Sequence, residues 1–64
     1  MIINEVDKHR AVEIGNALIW AAELATKNKV SMSVLYMNEY DIAIPVETHE
    51  GEEQYGWEVV ATIA

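Results

Sequence analysis

VSMSVLYM, residues 30–37, and YDIAIPVE, residues 40–47, decide how this chain is read. In the first, Val30, Met32, Val34 and Tyr36 alternate with Ser31, Ser33, Leu35 and Met37; in the second, Ile42, Ile44 and Val46 alternate with Asp41, Ala43, Pro45 and Glu47. A period of two sends successive side chains to opposite faces of a strand. Each stretch therefore has one apolar face and one mostly small or polar face, the pattern of a half-buried antiparallel sheet. QYGWEVVATI, residues 54–63, repeats it, with Tyr55, Trp57, Val59, Ala61 and Ile63 set against Gln54, Gly56, Glu58, Val60 and Thr62. The turn near Asn38-Glu39 is short and the loop at 48–53 is longer. Pro45 has no N–H to give a ladder. In a simple meander the second strand is central, so Pro45 demands a strand end, a bulge, or a strand order other than 1-2-3.

Upstream the period changes to that of a helix, predicted over residues 7–28. Asp7 or Asn4 serves as its cap, and Asn28 with Lys27 and Lys29 suits its end. Successive steps of about 100° place Ala11, Val12, Ile14, Gly15, Ala17, Leu18, Ile19, Ala21, Ala22 and Ala25 on one broad apolar arc. Opposite run Glu13, Asn16, Trp20, Glu23 and Lys27 as the stripe expected to face water. The alanines and Gly15 leave the apolar arc thin, which suits a sheet lying across it. MIINEV, residues 1–6, carries the β-branched Ile2, Ile3 and Val6 and reads as a further edge strand. The predicted fold class is α+β: one long N-terminal helix packed on a three-stranded antiparallel sheet, four-stranded if the leading segment joins it. The order is α-β-β-β, in a single domain spanning residues 1–64.

A 64-residue chain makes one core, worth only about 3–5 kcal/mol of net stability. There is no cysteine, hence no disulfide and no thiolate metal site, which fits a reducing cytoplasm. MIINEVDKHR lacks the order of a signal peptide, and ALIWAA is far too short to span a membrane. The expectation is a soluble, unprocessed, cytoplasmic protein. The net charge of −7 is unevenly placed. Residues 1–29 hold Glu5, Asp7, Glu13 and Glu23 against Lys8, Arg10, Lys27 and Lys29 and are neutral overall. Residues 30–64 hold Glu39, Asp41, Glu47, Glu50, Glu52, Glu53 and Glu58 with no Lys or Arg. Such a half-chain repels nucleic acid and anionic membranes, and attracts basic protein surfaces.

Residues that carry chemistry are sparse. His49 stands among Glu47, Glu50, Glu52 and Glu53, but the spacing matches no EF-hand and no second His follows at i+4. The loop reads as an exposed, solvated tip, with no metal or other cofactor expected. No catalytic residues are assigned: there is no G-x-S-x-G, Ser31 and Ser33 have no base nearby in sequence, and His9 between Lys8 and Arg10 reads as a surface residue. Tautomerases of similar size use an N-terminal proline, where this chain has Met1-Ile2. Tyr36, Tyr40, Tyr55 and Trp57 would make a stacking platform for bases only beside cations that this half of the chain lacks. Tyr36, Tyr55 and Trp57 are instead expected in the core.

Contact surfaces are the better candidates. Trp20 falls in the polar stripe of the helix, and Trp is enriched at energetic centres of interfaces. Leu35, Met37 and Val60 are predicted on the outer sheet face as a seam for self-association, framed by Asp41, Glu47 and Glu58. In composition alone, the chain resembles the short acidic accessory proteins of phages and mobile elements that block host factors. The expected function is therefore a non-catalytic module, an inhibitor or modulator engaging a basic, nucleic-acid-binding partner through Glu39, Asp41, Glu47, Glu50, Glu52, Glu53 and Glu58. The alternative is a structural homodimer or small subunit of a larger assembly, with a small oligomeric enzyme behind both.

Overall fold

The computed structural model describes residues 5–48 and 56–64. Helix α1 runs Glu5–Asn28, followed by β1 Met32–Met37, β2 Ile42–Glu47 and β3 Glu58–Ile63. This is the predicted α+β order, α-β-β-β, with the helix packed on an antiparallel three-stranded sheet. The leading segment does not extend as a strand to residue 6, because Glu5 and Val6 already belong to α1, and Asp7 lies inside the helix rather than capping it. Residues 1–4, the capping role assigned to Asn4, and His49 to Tyr55 lie outside the described residues. The strands are two to four residues shorter at their N-terminal ends than the alternation suggested.

The C-terminus of α1 closes as its polar end residues predict. Lys29 adopts a left-handed φ of 52°. That turn lets the Val30 N–H donate to the Ala25 carbonyl at 3.3 Å, capping a carbonyl the helix would otherwise leave open. Lys27 in the last turn sits favourably against the helix dipole.

The strand order is β2-β1-β3, so β1 is central and β2 is an edge. This resolves Pro45. The Thr48 N–H donates to the Ser31 carbonyl at 3.0 Å. Antiparallel pairs alternate between bonded and non-bonded, so two-residue steps along the register make Val34 and Pro45 a non-bonded pair. The Pro45 nitrogen then points outward from the sheet edge, where no ladder bond is lost.

The core lies where Ala17 and Ala21 of α1 meet Met32 and Val34 of β1, with Leu18, Leu24, Ala25, Val30, Ala43, Val60, Ala61 and Ile63 around them. Ala17 and Ala21 are one helical turn apart and carry the smallest apolar side chains, so the helix rests closest to the sheet along that line. This choice turns α1 by roughly 70° from the orientation its polar stripe suggested, at about 100° per residue. Glu13 becomes half-buried at the border, while Val12 and Ile19, counted in the apolar arc, face water.

Register, not alternation, decides the sheet faces. Residues 38–41 connect Met37 to its partner Ile42. In consequence Ala43, Pro45 and Glu47 pair with Tyr36, Val34 and Met32 on the helix side, and Ile42, Ile44 and Val46 lie on the far side beside Met37, Leu35 and Ser33. In β3 a bulge between the Val34–Ala61 and Leu35–Val59 pairs leaves Val60 without a partner. It flips the strand's start: Val59 joins Leu35 on the far face, and Glu58 pairs with Tyr36 on the helix side. The far face is thus apolar at one end. At the other, Ser31 and Ser33 form a hydroxyl ladder with Thr48 and Thr62 at 2.8 to 3.2 Å, which satisfies the buried Ser33.

Candidate functional site

Three surfaces carry the chemistry of this fold. The first is a polar cluster where the start of α1 meets the β1–β2 turn. Asp41 ends that turn with a left-handed φ of 53°, a conformation that Asp tolerates better than most residues. From there one carboxylate oxygen accepts a hydrogen bond from the Tyr36 hydroxyl and the other faces His9 Nδ1. The Arg10 guanidinium stacks 4.7 Å from the Tyr36 ring centroid and reaches Glu58 at 3.6 Å. The Tyr36 hydrogen bond holds the Asp41 carboxyl below its ordinary range, helped by the hydrogen bond and charge of His9 and by Arg10, while partial desolvation opposes the shift. The same bond raises the Tyr36 phenol, with desolvation, the Asp41 charge and Glu13 adding to it and Arg10 opposing it.

An imidazole held at Nδ1 by a carboxylate is the geometry of a general base. Here no other hydrogen-bond partner of His9 is present among the described residues. The arrangement ties the helix to the β1–β2 turn through His9 and Asp41, 32 residues apart in sequence. Sequence reasoning left His9 on the surface and Tyr36 in an apolar core, and nothing in the local pattern of either pointed to Asp41.

The second surface is the acidic one. Among its predicted residues, Glu39 is exposed in the turn, Asp41 is committed to the polar cluster, and Glu58 pairs with Arg10. Glu47 is half-buried on the helix side. Glu50, Glu52 and Glu53 lie outside the described residues. Asp41, Glu47 and Glu58 therefore do not frame the far face of the sheet, because register and bulge carry them to the helix side. The Arg10–Glu58 pair is solvent-exposed on both partners, so its contribution to stability is small. Among the described residues no group of His, Asp and Glu is arranged to hold a metal ion.

The third is apolar. Trp20 is 57% exposed, and on the same helix Val12 and Ile19 are 54% and 64% exposed. The seam predicted from Leu35, Met37 and Val60 is not available as such. Leu35 is buried between Ile44 and Val59, and Val60 packs toward the core; Met37 alone keeps partial exposure. Sequence reasoning found Trp20 and missed Val12 and Ile19. The signal was present in the width of the apolar arc, which exceeds what one sheet can cover. An open surface depression of about 540 Å³ near the end of α1, lined by Ala22, Glu23, Thr26 and Lys27, continues this side of the helix.

Fold and surfaces together define a small α+β domain with an antiparallel sheet. Among the described residues no helix is long and apolar enough to cross a membrane. Comparison with known protein families, curated proteins and solved structures finds no match to this chain.

Proposed function

We propose that the chain is a non-catalytic protein-binding module that docks through the solvent side of α1. The observation that carries this reading is the exposure of Val12, Ile19 and Trp20, each more than half open to water along one side of the helix. Large apolar side chains grouped this way on a small domain mark contact surfaces, and Trp is the side chain most often found at their energetic centres. Ile19→Asp tests the reading. It places a charge where the fold makes no use of the side chain, so the circular dichroism and urea midpoint stay unchanged while binding is lost. An Ile19→Asp chain that unfolds, or that retains every association of the parent, refutes it.

A second reading rests on the charge segregation: seven acidic residues and no Lys or Arg in residues 30–64. In it the module is an inhibitor or modulator of a basic, nucleic-acid-binding protein, contacted through Glu39, Asp41, Glu47, Glu50, Glu52, Glu53 and Glu58. Carboxylates would compete with phosphates for the same Lys and Arg groups. Binding of this kind weakens steeply with salt, and changing Glu50, Glu52 and Glu53 together to Lys abolishes it. Salt-independent association with a basic partner rules this reading out.

A further inference from the structure

We propose that His9 is a site of covalent acylation: its Nε2 takes an acyl group from small, uncharged, activated donors, with Asp41 as the positioning residue. This goes beyond the docking reading, which makes no use of either side chain. A chain of hydrogen bonds leaves the imidazole one tautomer. The Tyr36 hydroxyl donates to Asp41 Oδ1, and Asp41 Oδ2 faces His9 Nδ1. The Tyr36 bond, His9 and Arg10 hold the Asp41 carboxyl below its ordinary range, so near neutral pH it is ionised. An ionised carboxylate only accepts hydrogen bonds. The proton between it and the ring therefore sits on Nδ1, and in the neutral imidazole the lone pair falls to Nε2. The His9 side chain is 60% exposed although Nδ1 is turned to Asp41, so the exposure belongs to the rest of the ring, which carries Nε2.

In the transfer, the Nε2 lone pair forms a bond to the acyl carbon. The bond from that carbon to the leaving oxygen breaks, and the leaving group departs as its anion with the electron pair. The ring is left cationic, with Nδ1–H against the Asp41 carboxylate, which stabilises the charge as it develops. Loss of the Nδ1 proton to water then gives the neutral N-acyl imidazole. Charge sets the class of donor. Lys8 and Arg10 flank His9 in sequence, and Arg10 reaches Glu58 at 3.6 Å. Asp41 and Glu39 belong to the β1–β2 turn, Glu58 to β3, and Glu13 lies one turn further along α1. Four carboxylates against two cations disfavour an anionic donor such as a phosphoryl anhydride. An uncharged ester or carbonate meets no such penalty.

The test uses the full chain carrying His49→Gln, so that His9 is its one histidine. At about pH 8, above the ordinary imidazole range, long-range nitrogen–proton correlation spectra report which ring nitrogen holds the proton. The expected result is a protonated Nδ1 and a bare Nε2. Diethyl pyrocarbonate, an uncharged activated carbonate, then acylates His9, followed by mass spectrometry. Asp41→Asn is the decisive variant. Asn matches Asp in shape and tolerates the left-handed φ of 53° at this position. The Tyr36 hydroxyl claims the amide oxygen, so the amide NH2 faces His9 and donates to Nδ1. The ring proton moves to Nε2, and the acylation rate constant should fall by about tenfold or more, the wrong tautomer costing more than that in a catalytic triad. A parent chain with its proton on Nε2, or an Asp41→Asn chain acylated as fast as the parent, overturns the inference. Should circular dichroism show that Asp41→Asn does not fold, the ring-nitrogen shifts of the parent decide alone. Neither measurement involves a docking partner, so this inference and the docking reading fail separately.

Discussion

Ala21→Leu and Ala11→Leu form the sharpest test of the packing described above. Both alanines belong to the same apolar arc when the helix is read from sequence. The structure separates them: Ala21 has 0% of its surface exposed, against Met32 and Val34, whereas Ala11 is exposed. Leucine adds three carbons. With room to spare, each would contribute about 0.8 kcal/mol of burial. At Ala21 there is no room, so the added carbons push the helix from the sheet or force strained rotamers, costing about 1–3 kcal/mol. Against a total of about 3–5 kcal/mol this is a large fraction. With a urea m-value of about 1 kcal/mol/M for a chain this small, the unfolding midpoint falls by about 1–3 M. At Ala11 the same leucine meets water, and since Ala and Leu have similar helix propensity the change stays within about 0.5 kcal/mol. Urea titrations followed by circular dichroism in dilute solution decide the matter. Equal midpoints for the two variants, or a larger loss at Ala11, would refute the placement of the Ala17–Ala21 line against the sheet.

Two further predictions follow from backbone and charge. Lys29 holds a left-handed φ of 52° without being glycine, so Lys29→Gly removes a steric cost of roughly 1 kcal/mol. Differential scanning calorimetry should then show a melting temperature several degrees higher, and a fall would mean that the Lys29 side chain matters more than its backbone. The Tyr36–Asp41 bond needs a neutral phenol and an ionised carboxylate. Asp41 is held below its ordinary 3.8, so its contribution is present above that value and is lost as acid protonates the folded carboxylate. Tyr36 is raised above its ordinary 10.0, so its contribution is full below that value and is lost as alkali ionises the folded phenol. Stability against pH should form a plateau between these limits. Asp41→Asn flattens the acid limb and Tyr36→Phe the alkaline one; an acid limb unchanged in Asp41→Asn would show that other carboxylates carry it.

The elements themselves were legible in the chain. Alternation marked three strands, the helical period marked α1, and the polar end residues Asn28 and Lys29 marked its close, because these signals depend on neighbours within a few positions. Pro45 even signalled that β2 could not be a regular central strand. The charge segregation was likewise a property of composition, and Trp20 stood out on the helix before any coordinates. The faces were not legible. Alternation says which residues of a strand point together but not which set meets the helix, and β1 is apolar on both sides. The four-residue turn at 38–41 and the Val60 bulge made that choice, carrying Ile42, Ile44 and Val46 away from the helix and Glu58 toward Arg10. The helix rotation that exposes Val12 and Ile19 was settled by closest approach at Ala17 and Ala21, and the His9–Asp41–Tyr36 cluster by the same docking. Each of these depends on atoms distant in sequence meeting at one register out of several, and that is information a single strand or helix does not carry.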